Sequence, residues 1–131
     1  MGFVLEFDAK NNILRGTLDG RATDAFVLEC YAAATRYTTS HPPCRGLWVV
    51  SDITSFEVSN HTIREIARKP PIIAPGYIRV VVAASDFLFG MMRMLQILAG
   101  ETRPDLHVVR TMDEAYQLLR VESPEFAPVD L

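Results

Sequence analysis

Asp52, Thr54, Ser55, Ser59, Asn60, His61 and Thr62 fall within one short stretch, DITSFEVSNHT at residues 52–62. A carboxylate, an imidazole and several hydroxyls this close together suggest two kinds of chemistry. The first is general-base catalysis by His61, which needs a nucleophile and an orienting acid. Asp52 supplies an acid, but no Ser or Cys is specified beside the imidazole. The second is anion binding, because the stretch reads as a loop between an apolar strand and a helix. The first amides of a helix and its positive dipole end attract negative charge. Ser85 and Asp86 stand at the same kind of junction. Ligands in open α/β sheets gather where strands give way to helices. A small apolar or anionic ligand, held by the 52–62 loop beside Ser85 and Asp86, is therefore one reading. The plainer use of these side chains is capping. Thr62 with Glu65 fits a capping box, and Asn60 is a competing cap.

A second set lies on the segment DFLFGMMRMLQILAG, which predicts a helix over 86–99. At about 100° per residue, Met94, Phe87, Leu98, Met91, Leu95, Leu88, Ala99 and Met92 fill an arc of roughly 160°. That arc reads as the core face. The remainder holds Gln96, Arg93 and Gly90, with Phe89 and Ile97 among them. Phe89, Arg93 and Ile97 recur at i, i+4 and i+8 and form one stripe. Apolar residues flanking an Arg on the nominal solvent side suit an interface, so Phe89, Arg93, Gln96 and Ile97 are expected to meet a second copy of the chain. A C-terminal segment around Phe126, or a ligand, are the other possible occupants. Trp48, Phe56, Tyr77 and Phe87 could line a small apolar pocket near one end of the sheet, or simply pack between helices and sheet.

These side chains have to be positioned by the elements around them. GFVLEFD and ILRGTLD alternate around the turn AKNN, which predicts a β-hairpin. TDAFVLECYAAATRYTTS is helical in period, capped by Thr23 or Asp24, with Phe26, Val27, Cys30, Tyr31, Ala34 and Tyr37 on one face. His41-Pro42-Pro43 ends it. LWVVSD, YIRVVVAAS and LHVVR are continuous apolar runs, as expected of parallel strands covered on both faces. TMDEAYQLLRV carries a Thr111–Glu114 capping box ahead of a last helix. The order of strand, strand, helix, then three strand–helix pairs predicts an α/β fold. It consists of an N-terminal β-hairpin plus a mainly parallel sheet covered by four helices. One domain spans 1–121, and ESPEFAPVD begins a C-terminal tail, 122–131, ordered only if Phe126 finds a groove.

The bulk composition narrows the classes. The chain has 131 residues, 49% of them hydrophobic, enough for one core. Its net charge of −3 argues against nucleic-acid or anionic-membrane binding. No stretch is apolar for long enough to span a bilayer, and no secretory signal opens the chain. The expected location is cytoplasmic. Two cysteines, Cys30 in a helical pattern and Cys44 in a loop, are too few for a disulfide framework. Neither a metal site nor a cofactor is expected.

Three stretches carry a resemblance: LWVVSD, a strand ending in Asp52; VVVAASDFLFGMMRMLQ, with Gly90 and Arg93 in an apolar helix; and HVVRTMDEAYQLL, a short strand before an acidic helix. With the element order, they resemble the STAS superfamily, and more narrowly the SpoIIAA-like (STAS/SEC14 domain) family of small bacterial proteins, over residues 3–121. In that superfamily's anti-sigma-factor antagonists, a Ser opening the helix after the Asp-ended strand is phosphorylated by a partner kinase. Carried over, the pattern puts Asn60 and His61 where the family has Asp and Ser, so the phosphoacceptor position holds an imidazole and the resemblance leaves Ser55, Ser59 and Thr62 as the nearby hydroxyls for such a switch. The resemblance implies a non-catalytic regulatory domain that works through a protein partner, with a homodimer as the expected assembly. The alternative is the small-ligand domain described above.

Overall fold

The computed structural model of the chain describes residues 2–100 and 105–129. Strand β1 (Phe3–Asp8) sets Phe3, Leu5 and Phe7 opposite Leu18, Gly16 and Leu14 of β2 (Ile13–Thr23), antiparallel. Directly opposed residues share a sheet face, so both apolar sets point the same way. Asp8 holds the turn: it accepts from the Asn11 backbone N–H at 3.0 Å and from the Asn11 side chain at 2.7 Å. Asn12 takes the left-handed conformation, φ 57°, that Asn tolerates.

Thr23 caps helix α1 (Asp24–Thr39), accepting from the Phe26 N–H at 3.2 Å. Then follow β3 (Arg45–Glu57), α2 (Asn60–Arg68), β4 (Arg79–Val82), α3 (Asp86–Ala99), β5 (Leu106–Val109), α4 (Met112–Leu119) and β6 (Ala127–Pro128). The sheet order is β5-β4-β3-β2-β1-β6. Strands β2 to β5 pair in parallel, as the continuous apolar runs predict, while β1 pairs antiparallel with both β2 and β6. Each crossover from β2 to β5 steps the same way along the sheet. Right-handed crossovers of that kind put α1, α2 and α3 on one face. Helix α4 follows the last parallel strand and lies on the other face, where Ala115 and Leu119 pack with Leu47, Val80 and Val82. Among the described residues, no helix is long and apolar enough to cross a membrane.

Residues 52–57, expected to be a loop, instead continue β3. Strand β2 runs on to Thr23 and pairs Asp19 with Asp52, Gly20 with Ile53, Arg21 with Ser55 and Thr23 with Glu57. Two register shifts, around Gly20 and after Thr17, let the ribbon twist without breaking. Pairing of β3 with β4 stops at Val49, so this end of β2–β3 stands out as a two-stranded ribbon. Arg21 grips Glu57 across its tip with two bonds of 2.6 and 2.7 Å.

The tail meets the condition set for its order, because Phe126 finds a seat. Residues 122–129 fold back onto the domain. Phe126 lies under Arg15, whose guanidinium carbon is 4.0 Å from the ring centroid. Asp8 Oδ2 accepts the Glu125 N–H at 3.1 Å, the Val129 N–H donates to the Leu5 carbonyl at 3.1 Å, and β6 adds an edge strand. Asp130 and Leu131, also assigned to the tail, lie outside the described residues.

Candidate functional site

The polar side chains at the strand-to-helix junctions are largely committed to structure. Ser59, rather than Asn60 or Thr62, caps α2: its Oγ accepts from the Thr62 N–H at 3.2 Å. Its own N–H donates to Asp24 Oδ1 at 2.7 Å, and this bond, ahead of an opposing desolvation effect, holds the Asp24 carboxyl below the usual range. Asn60 opens the helix. Thr62 is 4% exposed with its Oγ1 3.3 Å from Ser59 Oγ, so it is not an accessible acceptor. His61 faces solvent, with Glu65 at 3.8 Å. Asp52 and Thr54 are exposed strand residues, and Ser55 Oγ donates to Glu57 at 2.7 Å. The Arg21 guanidinium first, and the Ser55 hydroxyl second, bring the Glu57 carboxyl down to about 2. Ser85 caps α3 through the Leu88 N–H at 3.1 Å. Asp86 meets Arg110 at 2.5 Å, and that guanidinium lies 4.3 Å over the Phe89 ring. The structure therefore does not gather residues 52–62 and 85–86 into one ligand loop.

Helix α3 is turned about its axis relative to the periodicity reading. Its inner arc holds Leu88 and Ala99, each 5% exposed, together with Met92, Leu95, Phe89 and Gln96. Phe89 and Gln96 are thus not interface residues. Phe89 packs on the sheet under Arg110. Gln96 Nε2 donates to the Leu106 carbonyl at 2.6 Å and covers part of edge strand β5, whose outer groups would otherwise invite pairing. Arg93 and Ile97 do face solvent. With them lie Phe87 and Leu98, both assigned to the core from sequence, and Gly90. Phe87, Ile97 and Leu98 are 59%, 73% and 47% exposed. The apolar arc had to turn by about 80° to bring Phe89 and Gln96 onto the sheet.

Between the sheet and helices α1–α3 lies a cleft of about 170 Å³. Leu18, Trp48, Val81 and Leu106 form its floor. Val27, Cys30 and Tyr31 of α1, Ile66 of α2 and Met92 and Leu95 of α3 form its roof. Trp48 was expected at such a pocket and lines it, whereas Phe56, Tyr77 and Phe87 do not. Phe56 and Phe87 instead meet edge to face, 5.6 Å apart, beside the ribbon. Tyr31 donates its hydroxyl to the Pro70 carbonyl and so ties α1 to the segment after α2. Burial, ahead of the neighbouring Glu29 charge, pushes the Cys30 thiol up to about 12, so it acts as a small apolar group. Cys44 lies in the loop before β3, as expected, and is buried there, 3% exposed.

Among the described residues, the charged side chain in the cleft wall is Arg79, 3% exposed at the start of β4. Its signal in the sequence is an Arg inside YIRVVVAAS, a run expected to be covered on both faces, where a charge needs a reason to be. Compared with known proteins, the chain matches no protein-family model and no curated protein.

Proposed function

We propose that this chain is a non-catalytic, STAS-like cytoplasmic domain that regulates through protein contact and pairs with a second copy through the outer face of α3. One observation carries the pairing: Phe87, Ile97 and Leu98 lie on one side of a single helix, each at least 47% exposed. Grouped exposed apolar side chains mark contact surfaces, whereas single ones do not. Gly90 lies on the same side, and a Cβ there would meet nothing within 4 Å. It leaves the helix surface low enough for a close approach. Arg93, beside it, offers donors at the rim. A two-fold pair is the commonest way for one such face to cover itself.

The STAS reading rests on the opening hairpin, on parallel crossovers that all step one way, and on the Gly90–Arg93 helix. The strand through Asp52 runs on to Glu57 and does not support it. The non-catalytic reading rests on the junction hydroxyls serving as caps and on two thiols pushed up by burial. Free thiols at Cys30 and Cys44 suit a reducing compartment.

Light scattering across a range of protein concentrations tests the pairing. The expected mass is that of two chains. A single-chain mass throughout the range ends the proposal.

A further inference from the structure

We infer that the cleft beneath α1–α3 binds a small neutral molecule of one aromatic ring, held by apolar contact alone. The site is independent of the outer face of α3 and stands whether or not that face pairs.

Size comes first. The cleft holds about 170 Å³, several times the ~30 Å³ that one water occupies in the liquid. Close-packed interiors leave few voids larger than a water. This one opens where α1 turns two small side chains, Cys30 and Ala34, toward the floor of the sheet. An apolar protein cavity of about 150 Å³ stays dry and accepts benzene, so one ring with a short alkyl arm fits here. A long-chain molecule does not. Val27, Ile66, Met92 and Leu95 in the roof are only half-buried, so the cleft meets the surface between the helices.

The lining sets the chemistry. Phe3 of β1, Tyr31 of α1 and Trp48 of β3 bring three aromatic side chains to it, and Met92 of α3 adds a thioether. Ring edges that meet ring faces, and a sulfur that meets a ring, favour an aromatic guest over an aliphatic one of equal size. Tyr31, Cys30 and Arg79 bring polar atoms to the wall, but none of them serves a charged guest. The Tyr31 hydroxyl donates to the Pro70 carbonyl. The Cys30 thiol is kept neutral by burial. Arg79 is engaged within the protein: its Nη1 donates to the Ile73 carbonyl at 3.4 Å, and the residue makes a further interaction there. A carboxylate or ammonium entering the cleft would therefore lose its water without replacement, whereas a neutral ring gives up little.

Trp48 is the only tryptophan in the chain and part of the cleft floor, so its emission reports on this site. The intact protein is titrated with toluene, with benzoate and with methylcyclohexane. Toluene is expected to give a saturable change in Trp48 emission. Benzoate keeps the ring but adds a charge, and is expected to bind about ten-fold or more weakly. Methylcyclohexane keeps the size but lacks the π-face, and is expected to bind about three-fold or more weakly. No saturable change with toluene overturns the site. Equal affinity for toluene and benzoate overturns the neutral character of the guest, and equal affinity for toluene and methylcyclohexane overturns its aromatic character. Val27→Phe fills the cleft with a ring of the protein's own and is expected to abolish the toluene response in a folded protein. Toluene binding as in the parent would place the guest elsewhere and overturn the assignment. The comparison of the three probes uses no variant, so it decides the question even where Val27→Phe does not fold.

Discussion

The indole of Trp48 lies against Gly16 on the neighbouring strand, where an added Cβ would stand 2.7 Å from Cε3 and 2.8 Å from Cζ3. The pair sits in register, Gly16 opposite Trp48 in the β2–β3 ladder. Alanine in a strand interior normally gains about 0.5–1 kcal/mol over glycine. Forcing the indole aside costs about 1–3 kcal/mol, so the steric cost wins. Gly16→Ala should lower the urea midpoint and shift Trp48 emission. An unchanged midpoint would mean that the ring yields freely.

On α3, inner and outer faces should respond differently. Ile97→Ser removes an exposed side chain, so its effect on unfolding should stay within about 0.5 kcal/mol, while the proposed pair should come apart at a higher protein concentration than in the parent. Phe89→Ala strips a ring packed on the sheet and under Arg110, and should cost about 2 kcal/mol or more. Denaturation and light scattering on both variants check the split. Loss of stability from Ile97→Ser would place that residue in the core.

Asp8 ties the two ends of the described chain together. Burial pushes its carboxyl up, but hydrogen bonds from the side chain and backbone of Asn11, then from Glu125 and Lys10, together outweigh it and hold the group below its usual range. Asp8→Ala should cost about 1.5–3 kcal/mol, the range for hydrogen bonds to a charged group. It should also speed hydrogen exchange at the Val129 amide, which bonds to Leu5 across the same edge. Unchanged exchange there would show that the segment is held without Asp8, by Phe126 and the β1–β6 pairing.

Glu57 gives the ribbon a pH dependence of known sign. Its carboxyl is lowered from 4.5 to about 2, chiefly by Arg21 and then by Ser55. The unfolded chain therefore takes up the proton first on acidification. The stabilisation is complete above pH 4.5 and is lost as pH falls towards about 2. Glu57→Gln should flatten the stability curve over that window, and added salt should flatten it in the parent too, since the pair is exposed. Urea midpoints measured through the window, with and without salt, check both.

The sequence by itself determined those features that depend on a few neighbouring residues. Alternation in 3–7 and 13–18 made a hairpin; apolar runs at 80–82 and 106–109 made covered parallel strands; Thr111 with Glu114 closed a capping box. Only the tertiary structure decided that 52–57 is strand, because a strand continues where a partner continues, and β2 runs to Thr23. It also decided that α3 turns Phe87 and Leu98 outward and Phe89 and Gln96 inward. A helix apolar around most of its circumference has no local preference for which side it buries, so the sheet edge beneath it chooses. The cleft with Arg79 in its wall follows the same logic: its lining comes from five strands and three helices, far apart in sequence, and a cavity is a property of their separation in space.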